Sequence, residues 1–215
     1  MQPINWTLLA DAVEFYERRG YRYVELPWAA LESVCALTAP EGSIFPNVQG
    51  LGTLIGSAEQ SFLQATMGGL PEGRYCALTP CFRVGEVEDN LHRKTFMKVE
   101  LFSTLAPAEI VDIMRDDAES YFNRALAQEG YQDIAGRLNW MDTEDGHDLN
   151  LGDIEVGSYG VRTANDITWA YGTGLAEPRW STACQIVAND ARKDRMAAYE
   201  LFRTAGQTVR REGHC

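Results

Sequence analysis

Positive charge is scarce in this sequence: 19 lysines and arginines stand against 31 acidic residues, which gives a net charge of −12. Such a field repels phosphate backbones, so a broad nucleic-acid-binding face is not expected, whereas a local basic pocket for a small anion is compatible with it. Long apolar runs are also missing, since none approaches the roughly 18 to 20 residues that span a bilayer. The first residues, MQPINWTLLADAVEF, lack a basic leader followed by an apolar stretch. We therefore expect no membrane partner and no secretion signal.

Paired cysteines are missing as well. The five cysteines are scattered, odd in number and without a CxxC pair: Cys35, Cys76, Cys81, Cys184 and Cys215. This pattern favours a reduced, cytoplasmic compartment. Because repeats, low-complexity tracts and linkers are absent too, residues 1–215 are expected to form one domain, a length that buries about 70% of the unfolded surface.

What the sequence does contain is a succession of helical and strand-like patterns. Apolar residues at helical spacing predict helices at 6–19, 57–69, 107–130 and about 188–205, with Ser57 as the N-cap of the second. Alternating residues predict strands at 21–27, 74–84, 95–105, 136–142, 148–156 and 167–173. Since there is little regular βαβ alternation, this order predicts an α+β fold in which helices flank an antiparallel sheet.

The stretch ALTPCFRVGEVEDNLHRKTFMKVELF joins two of these strands by a loop with charges of both signs. Arg83, at the end of the first strand, is a permanently charged fork suited to a phosphate or carboxylate. Phe96, at the start of the second, offers a ring face to a purine, and His92 and Arg93 crowd the end of the loop. The alternative is a surface hairpin with ordinary ion pairs and Phe96 in the core.

Two further segments carry candidate ligands. In DLNLGDIEVGSYGVR, alternation puts Asp153 and Glu155 on one strand face with Ser158 just beyond, a set of oxygens that suits Mg²⁺; a solvated edge strand is the alternative. In WAYGTGLAEPRWSTA, the glycine pair ending at Gly174 allows close backbone approach and Arg179 follows; the alternative is a strand end and a turn.

Taken in order, these segments resemble the catalytic core of class II aminoacyl-tRNA synthetases, most closely the seryl enzyme, over nearly the whole chain. RGYRYVELP resembles motif 1, which builds the dimer interface of that family. GSAEQ and LPEGRYCALTPCFR resemble the TxE loop and its continuation into motif 2, FMKVELF resembles the second motif 2 strand, and GTGLAEPR resembles motif 3. Four degenerate motifs in the right order form a specific signal.

The resemblance implies a role for each candidate residue. Arg83 would clamp the α-phosphate of ATP and the amino-acid carboxylate, while Glu59 would receive the α-amino group. The remaining implied contacts are Phe96, Arg179 and Gly174 around adenine, His92 and Arg93 at the terminal phosphates, Glu86 at adenine, Glu100 beside the amino acid, and Glu155, Ser158 and Asp153 on Mg²⁺. Taken alone, Glu59 is a first-turn acid that complements a helix dipole.

Motif 2 departs from the family in two respects: its loop to Phe96 is shorter than in the seryl enzyme, and its first strand ends differently. It reads Phe82-Arg83-Val84-Gly85-Glu86, one residue longer than the usual arginine-x-glutamate. Strand alternation puts Glu86 opposite Arg83 unless a bulge at Gly85 restores it.

Zinc is a second metal that the resemblance allows, because some seryl-type relatives hold the amino group through Zn²⁺. The conceivable ligands are Cys81, Glu100 and Cys184. The alternative is that both cysteines are small buried hydrophobes.

The resemblance therefore implies an adenylate-forming ligase that uses ATP and Mg²⁺ on a small amino acid. Since the chain shows no coiled-coil arm and no anticodon-binding domain, we expect a homodimer that transfers the acyl group to a carrier protein or small molecule rather than to tRNA. Two alternatives stay open: a non-catalytic paralogue acting as a sensor or partner subunit, and a minimal synthetase with a separate tRNA-binding partner. No side-chain nucleophile is needed, so the absence of a catalytic triad does not exclude an enzyme.

Overall fold

The computed structural model describes residues 2–40, 42–85 and 87–212, with side chains as far as residue 199. Helices in this part of the chain are α1 (Trp6–Arg18), α2 (Glu32–Cys35), α3 (Ala58–Met67), α4 (Pro107–Gln128) and α5 (Arg179–Glu212), with a 3₁₀ turn at Gln132–Arg137. The strands are β1 (Arg22–Tyr23), β2 (Ala29–Ala30), β3 (Asn47–Val48), β4 (Gly52–Leu54), β5 (Arg74–Phe82), β6 (Thr95–Ser103), β7 (Leu138–Thr143), β8 (Gly146–Leu151), β9 (Ile154–Ala164) and β10 (Ile167–Glu177).

Seven strands form the main sheet, in the order β1-β5-β6-β10-β9-β8-β7. Every neighbouring pair is antiparallel except β1 and β5, which are parallel. The predicted α+β fold is therefore confirmed, with the refinement that the sheet is mixed at the β1 edge. The predicted hairpin is confirmed as well, with Cys81 opposite Phe96.

Helix ends follow their local chemistry. The Ser57 hydroxyl accepts a hydrogen bond from the Glu59 amide at 3.3 Å and caps α3 as predicted. Pro107 occupies the first turn of α4, where its missing N–H is not needed. Gly130, just after α4, has φ +79°, a conformation that favours glycine and ends the helix.

Helices cover both faces of the main sheet. On one face, α1, α4 and α5 bury a large cluster that includes Tyr16, Phe122 and Trp180. On the other face, α3 packs Phe62 against Phe102 of β6, with stacked rings 4.7 Å apart. The small β2-β4-β3 sheet lies beside α3, in contact with it through β2. Over the residues described, every helix is too short or too polar to cross a bilayer.

Three sequence predictions are wrong in detail. The strand predicted at 21–27 is only the two residues of β1. The strand predicted at 148–156 is two strands, β8 and β9, joined by a turn at Gly152 (φ +63°) and Asp153. A two-residue hairpin reverses the chain with little sequence signal beyond its glycine. The last helix begins at Arg179 rather than near 188, because Trp180, Ala183 and Val187 already have helical spacing and are buried.

A buried acid joins the end of β10 to α1 and α5. Glu177 is fully buried and accepts hydrogen bonds from the Ser181 amide and hydroxyl, at 3.2 and 2.9 Å, and from the Asn5 amide at 3.3 Å. Burial raises the pKa of Glu177 to about 7, although these hydrogen bonds act to lower it.

The raised pKa of Glu177 predicts that the free energy of unfolding falls as the pH rises. Between the ordinary pKa of 4.5 and the folded value of about 7, the folded chain holds a proton that the unfolded chain has released. Since a tenfold change in proton affinity corresponds to about 1.4 kcal/mol, Glu177 should lower the unfolding free energy by about 3 kcal/mol between pH 4.5 and 7. Glu177→Gln should remove this loss in urea titrations from pH 4.5 to 8. Glu72→Gln is an exposed control, and parallel pH profiles for wild type and Glu177→Gln would contradict the prediction.

Candidate functional site

Strand register brings two distant arginines to the same end of the sheet. Strand β6 lies between β5 and β10, with Phe96 opposite Cys81 and Met97 opposite Glu177. Arg83 lies two residues beyond Cys81, and Arg179 lies two residues beyond Glu177. Both side chains consequently reach the region at the start of β6, although 96 positions separate them along the chain.

These two arginines line one cleft, which we call the arginine cleft. It comprises two adjoining spaces of about 60 and 390 Å³, both lined by Arg83, His92, Glu155 and Arg179. The Arg83 guanidinium lies over the Phe96 ring, 5.2 Å from its centroid, and its Nε donates to the Gly56 carbonyl at 3.3 Å. Arg179 Nε donates to the Glu155 carbonyl at 2.7 Å. Phe96 lines the narrower space, so guanidinium and aromatic groups meet there as the sequence predicts.

The loop that closes the hairpin supplies one wall of the narrower space. His92 Nδ1 lies 2.9 Å from the Asp89 carboxylate, which also accepts hydrogen bonds from the Leu91 and His92 amides. Arg93 Nη2 donates to the Gln2 carbonyl at 2.6 Å, so this arginine is tied to the N-terminal segment. Glu86 lies outside the described residues, and its predicted adenine contact stays a prediction.

A larger cavity, about 510 Å³, adjoins the arginine cleft and shares Arg83, Lys98 and Glu155 with it. Helix α3 supplies Glu59 to its lining, and the segment around Phe45 supplies another part. We call it the adjoining cavity. The arginine cleft and the adjoining cavity therefore meet at these three charged side chains.

Glu59 is held deep in the adjoining cavity. It is 3% exposed, and Arg162 Nη1 donates to its two oxygens at 2.9 and 2.7 Å. Trp169 Nε1 donates to the same carboxylate at 2.6 Å. Burial raises the pKa of Glu59, while the Arg162 charge opposes that rise. Glu59, which the resemblance assigns to the substrate's α-amino group, therefore already has hydrogen-bond partners within the protein.

A second buried acid lies near Glu59. Glu100 accepts hydrogen bonds from Lys98 Nζ at 2.8 Å and from the Ser57 hydroxyl at 2.5 Å. The Lys98 side chain is 12% exposed and that of Glu100 is 1% exposed. In both ion pairs the cation lies nearer to solvent than the carboxylate.

Oxygen ligands gather around Ser158, but not all of those predicted. Glu155 lines both the arginine cleft and the adjoining cavity, and Ser158 lines the adjoining cavity. The predicted third member, Asp153, lies in the exposed turn between β8 and β9 rather than on a strand face with Glu155. Asp148 pairs with Ser158 across β8 and β9, and burial raises the pKa of Asp148 despite a hydrogen bond with Ser158. Carboxylate and hydroxyl oxygens of this kind fit Mg²⁺.

The proposed zinc ligands do not come together. Cys184 is buried on α5 and lines a separate cavity with Asn5 and Tyr131, whereas Cys81 and Glu100 lie on β5 and β6. Burial raises the pKa of Cys81 to about 12 and also raises that of Cys184, which keeps both thiols protonated. Among the described residues, no three acidic, histidine or cysteine side chains are arranged to hold a metal ion. These residues do not fit zinc.

Gly174 packs against Tyr16 of α1, on the face of the sheet that α1 covers. Its carbonyl accepts a hydrogen bond from the Tyr16 hydroxyl at 3.0 Å. A Cβ on Gly174 would meet Tyr16 at 2.8 Å and Val99 at 2.9 Å. The lack of a side chain therefore allows α1 to approach β10, on the face away from α3.

Sequence reasoning missed three residues of the adjoining cavity and its surroundings: Lys98, Arg162 and Asp148. Lys98 lies in FMKVELF and Arg162 lies in DLNLGDIEVGSYGVR, two segments already considered above. Neighbouring residues in the sequence do not indicate that their partners are Glu100 and Glu59. Arg162 contacts Glu59 only because β9 continues past Gly160, which the predicted strand boundaries did not include. Asp148 needed the turn at Gly152 to be placed correctly.

Comparison with known proteins shows the fold. No family model and no curated protein match the sequence. Among solved structures, the chain is similar to seryl-tRNA synthetase from Pyrococcus horikoshii complexed with ATP, with a TM-score of 0.60 and 16% identity over 82% of this chain and 49% of that one. For cytoplasmic serine-tRNA ligase from Naegleria fowleri in complex with AMP, the TM-score is 0.60, with 19% identity over 82% and 46%. For pyrrolysyl-tRNA synthetase from Desulfitobacterium hafniense the TM-score is 0.62, with 15% identity over 81% and 67%.

The chain thus has the fold of the class II aminoacyl-tRNA synthetase catalytic core, as the sequence resemblance predicted. It spans about half the length of the two seryl structures that it matches.

The Glu59–Arg162 pair predicts a large effect of losing the arginine. Arg162→Leu would leave a buried carboxylate without its charge partner, which typically costs about 3 to 5 kcal/mol. Urea denaturation should show a loss of about 3 kcal/mol, since Trp169 still donates to Glu59. Arg137→Leu breaks only an exposed pair with Asp194 and should cost less than about 1 kcal/mol. Equal effects of the two substitutions would mean that Arg162 does not compensate the Glu59 charge.

Proposed function

We propose that this chain is an adenylate-forming ligase that uses ATP to activate a small amino acid and passes the acyl group to an acceptor other than tRNA. One observation carries the proposal: Arg83 and Arg179 line a single cleft, and that cleft shares Arg83, Lys98 and Glu155 with a second, larger cavity. Structures of the same fold with ATP and with AMP support a nucleotide as the occupant of the cleft.

The proposed chemistry is attack by a carboxylate oxygen of the amino acid on the α-phosphorus of ATP. The bond from that phosphorus to the bridging oxygen breaks, pyrophosphate leaves, and an aminoacyl-adenylate forms. Arg83, at the junction of the two spaces, is suited to neutralise charge on both reacting groups, and Phe96 with Arg179 is suited to hold adenine. Orientation and electrostatic stabilisation are then the sources of rate enhancement.

Magnesium fits the oxygen set on β8 and β9. Glu155, with Ser158 and Asp148 beside it, would hold the ion, which would supply positive charge to the phosphates when bound. Glu155 also pairs with Arg179, at 3.5 Å between Nη2 and the carboxylate, and its carbonyl accepts from Arg179 Nε, so it helps to position this arginine.

The acceptor is proposed to be a carrier-protein thiol or a small-molecule amine. Its nucleophile would attack the acyl carbonyl of the adenylate, and AMP would leave. The net charge of −12 favours these acceptors over tRNA, because an acidic surface repels a polyanion.

Exchange of labelled pyrophosphate into ATP, dependent on an added amino acid, tests the proposal. Arg83→Ala and Arg179→Ala should each lower the exchange rate on the order of 10²-fold or more, the usual effect of removing one donor that stabilises developing charge. Arg137→Ala is a matched control on the surface and should keep the wild-type rate. A folded wild-type chain that exchanges pyrophosphate with none of the amino acids would rule out activation.

We further propose a homodimer formed through the segment that resembles motif 1. Trp28 and Leu31, within four residues of the end of that segment, are 59% and 65% exposed, and large apolar side chains of this kind suit an interface. Trp28→Glu with Leu31→Glu should convert the dimer to a monomer in light scattering, because two charges would enter an apolar interface. Leu105→Glu, an exposed change far along the chain, should leave the mass unchanged. A wild-type monomer would contradict the proposal.

A second candidate function, a non-catalytic sensor, is favoured by the partners that Glu59 and Glu100 already have. In that case amino acid or nucleotide would bind without turnover. Calorimetry beside the exchange assay separates the two functions, since binding without exchange indicates a sensor.

A further inference from the structure

Arg162 lines the adjoining cavity but has no part in the reaction proposed above. Its Nη1 donates to Glu59, and its guanidinium lies over the Tyr171 ring, 4.1 Å from the centroid. Contacts with a carboxylate and an aromatic face fix the plane of the guanidinium. A planar donor fork held in this way is pre-organised for a second ligand.

In each of the two ion pairs that line this cavity, the cation is more exposed than its acid. The Arg162 side chain is 34% exposed and that of Glu59 is 4% exposed. The neighbouring pair has the same arrangement, with Lys98 more exposed than Glu100. A guanidinium carries five N–H donors on three nitrogens, and the contacts to Glu59 use only Nη1.

This arrangement would distinguish carboxylic acid substrates by the chemical group that they place beside Arg162, away from the carboxylate that reacts. An apolar side chain beside Arg162 would remove water from N–H groups without replacing the lost hydrogen bonds, which is unfavourable. A carboxylate is a planar acceptor that matches the fork and also neutralises the cation. In a chain with a net charge of −12, only such local cations can attract a second anionic group.

We propose that the substrate of the adjoining cavity is a small dicarboxylic acid, either an acidic amino acid or its counterpart without the amino group, whose second carboxylate binds Arg162. The inference rests on the proposed function for the first carboxylate, which lies at Arg83 and forms the bond to the α-phosphorus of ATP as pyrophosphate leaves. The second carboxylate does not react. Arg162 is thus a residue that determines specificity.

Matched pairs of acid and amide test this proposal with the full chain: aspartate and asparagine, glutamate and glutamine, succinate and succinamate. Calorimetry without ATP measures binding alone, and pyrophosphate exchange measures activation. We expect at least one acid to bind at least 10-fold more tightly than its amide, and the same acid to give the faster exchange.

Variants link that preference to the arginine. Glu59→Gln with Arg162→Gln replaces the ion pair by two amides that can still hydrogen-bond, so the fold is kept while the charge is lost. The acid-to-amide ratio should fall to about 1 in this double variant and stay above 1 in Arg162→Lys, which keeps the charge. Lys193→Gln is a matched control, an exposed lysine paired with Asp190, and should leave the ratio unchanged.

The possible outcomes separate the two proposals. Exchange with neutral amino acids only would overturn the dicarboxylic substrate and leave the ligase intact. Absence of exchange, together with tighter binding of an acid than of its amide, would reject the ligase and support the dicarboxylate site. Binding that does not distinguish acid from amide, or no binding of either, would overturn this inference whatever the exchange assay shows.

Discussion

The arrangement of this molecule depends on the register of β6 between β5 and β10. Hydrogen bonding in an antiparallel ladder fixes which residues lie opposite each other, and a slip of one residue would turn every side chain to the other face. The observed register sets Phe96 opposite Cys81 and Met97 opposite Glu177, so that the chain leaves β5 and β10 beside the start of β6. Arg83 and Arg179 meet at one cleft for that reason.

Electrostatics imposes a second constraint on the face that carries α3. Two carboxylates, Glu59 and Glu100, are buried there, and burial of a charge is tolerated only when it is paired and hydrogen-bonded. Arg162 and Lys98 supply the pairing, and each lies closer to solvent than its acid. An acidic protein thereby presents two local positive charges in the lining of the adjoining cavity.

The sequence predicts the parts of this structure that depend on local signals. The hairpin, α4 with Pro107 and Gly130, and the Ser57 cap were all readable, because alternation and terminal residues specify them. The fold itself was reached through a resemblance of motifs. Pairing between strands could not be predicted from local signals. The turn at Gly152 places Asp153 outside the strand and sets Asp148 opposite Ser158. Because the predicted strand ended before Gly160, the role of Arg162 was not recognised.

The bond from Arg93 to the Gln2 carbonyl has a practical consequence for anyone who handles this protein. A peptide or affinity label attached ahead of Gln2 would lie next to a hydrogen bond of an arginine that lines the cleft. Fusion partners are therefore better joined elsewhere. Conversely, a fluorophore coupled near Gln2 would lie close to the end of the cleft that Arg93 lines.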